Sequence, residues 1–317
     1  MGADANEKTT MALLDSPLRR IIEAVNDVLL GKDHSVRLAL SCLLAGGHLL
    51  IEDIPGVGKT TLAQVLARAL GLDYRRIQFT SDLLPADVIG VSVFQREQAT
   101  FRFHAGPVFS QVLLADEINR GTPRTQSALL EAMEEGQVTV DGTTHPLPKP
   151  FLVIATQNPI DQIGTFALPE SQLDRFLMRL TLGYPDPAAE RALLAGDDRR
   201  ALLAAFAPVA SAEQLLGWRK TVHAVHASPA LIDYVQTLAG ESRRCGLFET
   251  GLSPRGTIAL LNAARSWAFL HADHKVTPEH VQAVFTAVAG HRLRPRNTLG
   301  DDPALLLRRL VDSVPLR

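Results

Sequence analysis

Up to about Pro185 the chain alternates short apolar runs with stretches of helical period. HLLIE (48–52), RRIQFT (75–80), VLLAD (112–116), FLVIAT (151–156) and FLMRLTL (176–182) predict strands. Several are continuously apolar, as strands covered on both faces of a parallel sheet are. Helical patterns lie between them, notably Thr60–Leu70 closed by Gly71 and Thr125–Glu135 closed by Gly136. Val36 to Ile51, interrupted by Arg37, Gly46, Gly47 and His48, reads as a buried helix followed by a strand and is too short to span a bilayer. The expected architecture is α/β, with helices on both faces of a parallel sheet.

Two hairpins break the alternation. VSVF (91–94) and TFRF (100–103) alternate apolar and polar residues around QREQA, and QVTV (137–140) runs into Asp141-Gly142, a strong two-residue turn signal. Both read as insertions projecting from the sheet. After Pro185 strand signals fade. Asp186-Pro187, Ser253-Pro254 and Thr277-Pro278 each set a capping side chain before a proline at the first helical position. The pattern predicts a flexible N-terminus at 1–14, an α/β nucleotide-binding core at 15–186 and an all-helical lid domain at 187–317.

The 317 residues exceed the needs of one ordinary core, which fits two domains. A net charge of −2 gives no bulk electrostatic case for nucleic acid. Cys42 and Cys245 form no CxxC pattern, and the N-terminus lacks a basic start followed by an apolar run, so a cytoplasmic protein is expected. His223 with His226, and His271 with His274, have a spacing that shares a face if each pair lies on one helix, but no third or fourth zinc ligand stands out.

The stretch IEDIPGVGKTTLAQVL (51–66) follows a strand and opens a helix, the setting of a phosphate-binding loop. Asp53 stands where the usual pattern has its first glycine. That position chiefly bends the backbone, which Pro55 can help fix, so no phosphate contact is lost. The loop residues Pro55, Gly56, Val57, Gly58, Lys59, Thr60 and Thr61 are the candidate nucleotide site. Gly56 and Gly58 let N–H groups curl inward, and the helix N-terminus adds its dipole. Lys59 can reach the β- and γ-phosphates of ATP, and the Thr60 hydroxyl can ligate Mg²⁺.

In QVLLADE (111–117), an apolar strand ends in two acids. Asp116 can hold Mg²⁺ through its water shell, and Glu117 can polarise a water towards the γ-phosphate. VIATQNP (153–159) ends a further buried strand, where Asn158 could hold that water; standing alone it reads as an Asn-Pro turn.

These residues resemble the MoxR family of AAA+ ATPases across about residues 15 to 310. The resemblance is carried by EDIPGVGKTTLA, QFTSDLLPADVIG, GPVFSQVLLADEINRGTPRTQSALLEAMEEGQVTVDG, VIATQNPI, GTFALPESQLDRFLMRL and GLSPRGTIALLNAARSWAFL. It implies that Asp116 and Glu117 are the Walker B pair, Asn158 the sensor 1 residue, Arg175 an arginine finger and Arg255 the sensor 2 arginine. A finger of that kind implies a ring, usually a hexamer. The hairpins at 88–104 and 137–146 resemble inserts that related ATPases turn towards the ring pore. The family implies chaperone-like activation of partner proteins, typically with von Willebrand factor A-type domains.

Beside the resemblance, Arg175 reads equally as the partner of Asp174 or Glu170 within one chain. Arg255 sits in a helix first turn, where a cation opposes the dipole unless a phosphate is bound or solvent screens it. Arg120 is either a second trans-acting arginine or an interface residue. Three activities remain in view: a protein-remodelling ATPase, a nucleotide-switched regulator with slow turnover, and a nucleic-acid motor. The motor fits least, since the second hairpin has an acid and no base in its turn.

Overall fold

Five strands form one all-parallel sheet in the order β2-β5-β8-β1-β9: β1 (His48–Glu52), β2 (Tyr74–Gln78), β5 (Val112–Asp116), β8 (Leu152–Gln157) and β9 (Phe176–Leu180). The computed structural model describes residues 17–159, 164–196, 202, 206–296 and 302–315. The expected flexible segment 1–14 lies outside them. β5 is buried at every residue, whereas β2, with Arg75 and Arg76 in its middle, is largely exposed. The difference follows from position: β5 is interior and β2 is an edge strand, where charge discourages further pairing.

Successive residues face opposite cores. Leu49, Ile51, Leu114 and Ile154 join one apolar cluster, and Leu50, Leu113, Ala115 and Val153 join the other. The first cluster collects α1 (Pro17–Val28), α2 (Asp33–Leu44) and α3 (Lys59–Ala69), and continues without a break into the helices after residue 186. The second lies beneath α4 (Pro85–Ile89) and α5 (Pro123–Glu135). The strand predicted at 75–80 is displaced to 74–78, and that at 176–182 ends at Leu180, where the backbone leaves the sheet.

The first hairpin pairs β3 (Gly90–Gln95) with β4 (Thr100–Ala105), placing Phe94 opposite Phe101. The second pairs β6 (Gln137–Val140) with β7 (Thr143–Pro146). Its turn residues Asp141 and Gly142 both have positive φ, as a type I′ turn requires. The hairpins touch: the Phe103 ring stacks on His145 at 4.0 Å between centroids, with Phe109 edge-on to both.

After α6 (Glu170–Leu173) and β9, the described secondary elements are helical: α7 (Pro187–Ala195), α8 (Ala212–Ala224), α9 (Pro229–Arg244), α10 (Pro254–Leu270), α11 (Pro278–Ala289) and α12 (Pro303–Asp312). Asp186 and Ser253 cap α7 and α10 through the N–H groups of Ala189 and Gly256. At Thr277 the reciprocal contact comes from His280, whose Nδ1 accepts from the Thr277 N–H. The paired histidines do not share helices. α8 ends at Ala224 and α10 at Leu270, so His226 and His274 lie beyond them. No helix among the described residues is long and apolar enough to cross a membrane.

Candidate active site

The loop between β1 and α3 turns on Gly56 and Gly58, with φ of 85° and 97°. Gly58 is the N-cap of α3, so the loop delivers its backbone to the positive end of that helix. A Cβ at Gly58 would come within 2.7 Å of Leu29, so glycine is needed there for space as well as for φ. Val57 is seated in the core, whereas Pro55 and Gly56 are exposed and Thr61 is half-buried. Lys59 folds back across the loop, its Nζ donating to the carbonyl oxygens of Asp53, Ile54 (3.2 Å) and Gln157 (3.3 Å). Partial burial lowers its pKa, against the opposing pull of Asp53, Asp116 and Glu117.

Asp53 has a role that the sequence did not disclose. Its Oδ1 accepts from the N–H of Ile54 at 2.8 Å; its Oδ2 accepts from Leu182 at 2.6 Å and Gly183 at 2.7 Å. The buried carboxylate thus ties the loop to the segment leaving β9.

Asp116 ends β5 and is buried. Its Oδ1 accepts from the Thr156 hydroxyl at 2.5 Å, and its Oδ2 from Arg76 Nη2 at 2.7 Å and Nε at 3.0 Å. Thr60 Oγ1 lies 3.5 Å from the same Oδ2. The next residue, Glu117, has a left-handed backbone (φ 53°), an uncommon conformation for a side chain of its kind. Its N–H donates to Thr156 Oγ1 at 2.9 Å, so one hydroxyl fixes both acids. Thr156 was missed from sequence, although it lies two residues before Asn158 on a run that ends at the site. Glu117 Oε2 is 3.3 Å from Arg120 Nη1, which gives Arg120 an intrachain partner. Asn158, just past β8, is buried beside Asn119, whose Nδ2 is 3.5 Å from the Asn158 carbonyl.

Arg175 and Arg255 lie elsewhere. Arg175 immediately precedes β9, whose first residue, Phe176, is in register with His48, the first residue of β1. The two strands are parallel, so Arg175 sits where strands begin and the phosphate loop where they end. Five strand residues, about 16 Å, separate the two edges. The partners expected for Arg175 are otherwise engaged: Asp174 pairs with Arg292 at 2.6 Å and Glu170 with Arg294 at 3.1 Å. Arg175 instead meets Glu134 Oε2 at 2.8 Å, and Arg255 meets Oε1 of the same carboxylate at 3.0 Å. Arg255 therefore stays half exposed, with an intrachain partner in Glu134.

The parallel sheet, its phosphate loop, the acid pair and the helical domain define an AAA+ ATPase with its lid. The family model described as "ATPase family associated with various cellular activities (AAA)" matches residues 48–178, and one for an AAA lid domain matches residues 240–306. The chain is 38% identical over 312 residues to Chaperone MoxR1 of Mycobacterium tuberculosis, covering 94% of this chain and 82% of that one. It is 44% identical over 276 residues to the uncharacterised protein YeaC of Bacillus subtilis, covering 87% and 86%. A crystal structure of a candidate ATPase from Cytophaga hutchinsonii superposes with a TM-score of 0.86 at 33% identity over the whole of both chains. The chain belongs to the MoxR family of AAA+ ATPases.

Proposed function

We propose that the protein hydrolyses ATP at the interfaces of a ring, with six subunits, and uses the cycle to remodel a partner protein carrying a von Willebrand factor A-type domain. The observation that supports this is the position of Arg175 and Arg255. Two guanidiniums stand together on Glu134, Arg175 at the edge where strands begin and away from its own phosphate loop, a placement that favours use by a neighbouring subunit's nucleotide.

The backbone of 55–61 receives the phosphates, and Lys59 exchanges its three carbonyl partners for β- and γ-phosphate oxygens. Thr60 and Asp116 offer the hard oxygen donors that suit Mg²⁺. When bound, Mg²⁺ neutralises charge building between the β- and γ-phosphates. Glu117 accepts a proton as water oxygen attacks the γ-phosphorus, while the bridging bond breaks and ADP leaves with its electron pair. The exposed pair with Arg120 is weak enough to release the carboxylate at small cost. Asn158 holds the water in line, and Arg175 and Arg255 of the neighbour stabilise the charge that develops.

A slower, switch-like ATPase is the second reading. What favours it is that Asp116 and Glu117 are each paired with an arginine of their own chain. One experiment separates the two. Turnover per subunit is measured against protein concentration, then in mixtures of Glu117→Gln with Arg175→Ala subunits. Rising specific activity, and recovery in the mixture above either variant alone, supports shared sites. Flat activity with a silent Arg175→Ala leaves a site complete in one chain and favours the switch.

A further inference from the structure

Glu134 belongs to none of the motifs that define the phosphate site, yet it holds both arginines. It occupies the last turn of α5, one carboxylate oxygen facing Arg175 and the other Arg255. The arginines come from different parts of the chain: Arg175 from the lead-in to β9, Arg255 from the first turn of α10. Side by side they repel, and a single shared anion is the economical way to hold two such cations together. The ground beneath them is fixed. Arg292, almost fully buried, donates to Asp174 Oδ1 and to the carbonyl oxygens of Asp174, Phe176 and Leu177. Arg294 pairs with Glu170. The backbone bearing Arg175 is thereby clasped to the lid, and Glu134 adjusts only the two guanidiniums.

We infer that Glu134 is a positioning residue for the intersubunit reaction: the shared counter-ion that sets Arg175 and Arg255 side by side for a neighbour's triphosphate. This rests on the proposed trans role of the two arginines. Glu134 does not contact the nucleotide. Its carboxylate is part-exposed, so an incoming triphosphate, with more charge than one carboxylate, draws the guanidiniums outward from a start already aligned.

The test is ATP turnover by the assembled full chain for Glu134→Gln, Glu134→Asp, Arg175→Ala, Arg255→Ala and the double arginine variant with and without Glu134→Gln. Binding of a fluorescent ATP analogue and thermal unfolding are measured alongside. Glu134→Gln is expected to lower kcat roughly 10- to 100-fold, the scale on which a misplacement of about 1 Å acts, with KM and analogue affinity unchanged. Glu134→Asp, with the charge drawn back by one methylene, should fall between it and wild type. Once both arginines are gone, adding Glu134→Gln should change nothing further. Wild-type kcat in Glu134→Gln overturns the inference. So does a loss of equal size in the background lacking both arginines, which would make Glu134 merely structural. If the single arginine variants keep wild-type turnover, the trans reading itself fails and the inference falls with it; that result is distinct because it appears with Glu134 intact.

Discussion

Arg76 and Asp116, on neighbouring strands, share one oxygen: Nε at 3.0 Å and Nη2 at 2.7 Å both donate to Asp116 Oδ2. That oxygen also faces Thr60, so the guanidinium lies against the donor pair best suited to a divalent cation. Arg76→Gln should lower the Mg²⁺ concentration needed for half-maximal response of a fluorescent ATP analogue by about fivefold, equivalent to ~1 kcal/mol. Without nucleotide the same variant should be less stable by about 1–3 kcal/mol, because a buried carboxylate loses its charged partner. An unchanged or raised Mg²⁺ requirement would mean that Arg76 orients Asp116 and does not compete for it.

Asp53→Gly restores the usual loop pattern and is nonetheless expected to do harm. The Ile54, Leu182 and Gly183 N–H groups all lose their acceptor. A cost of about 3 kcal/mol is expected, read as a lower urea midpoint without nucleotide. A more stable Asp53→Gly protein would show the carboxylate to be an accident of the loop.

His291 makes the lid sensitive to acid. Burial, then the charge of neighbouring Arg292, holds its pKa well below the ordinary 6.5. Its Nε2 donates to the Phe176 carbonyl at 3.0 Å, across the joint between lid and sheet. The unfolded chain therefore takes up the proton first. Stability is fully present above about pH 6.5 and declines as pH falls below it. Urea midpoints at pH 7.5, 6.5 and 5.5 should show this decline. His291→Gln, which retains a donor, should flatten it; an unaltered slope would assign the decline to other groups.

The stack of Phe103 on His145 predicts that the two hairpins are energetically linked. A double-mutant cycle with Phe103→Ala and His145→Ala should return a coupling of about 0.5–1.5 kcal/mol in unfolding free energy. A coupling near zero would make the hairpins independent.

What the sequence reveals and what it hides divide along a physical line. Local signals were readable. Continuous apolar runs marked β5 and β8, Asp141-Gly142 marked the second turn, and Gly56, Gly58 and Lys59 marked the loop. Partners distant in the chain were not. Asp53 meets Leu182 across 129 residues, and Arg255 meets Glu134 across 121. Nothing in the spacing of charges singles out Glu134 among its acidic neighbours. Thr156 was hidden for another reason: on a buried strand its hydroxyl counts as one small residue among apolar ones, until the register brings it beside Asp116.

Asp53 also changes what the loop demands of the rest of the chain. A glycine there asks only for conformational freedom, a need met entirely within the loop. A buried aspartate asks for donors, and two of its three, Leu182 and Gly183, lie just past the end of β9. The start of the phosphate loop and the exit to the lid are thus joined by a contact that neither segment can keep alone. Any insertion, deletion or shift between Leu180 and Gly183 is expected to be felt at the nucleotide, though none of those residues belongs to its binding motif.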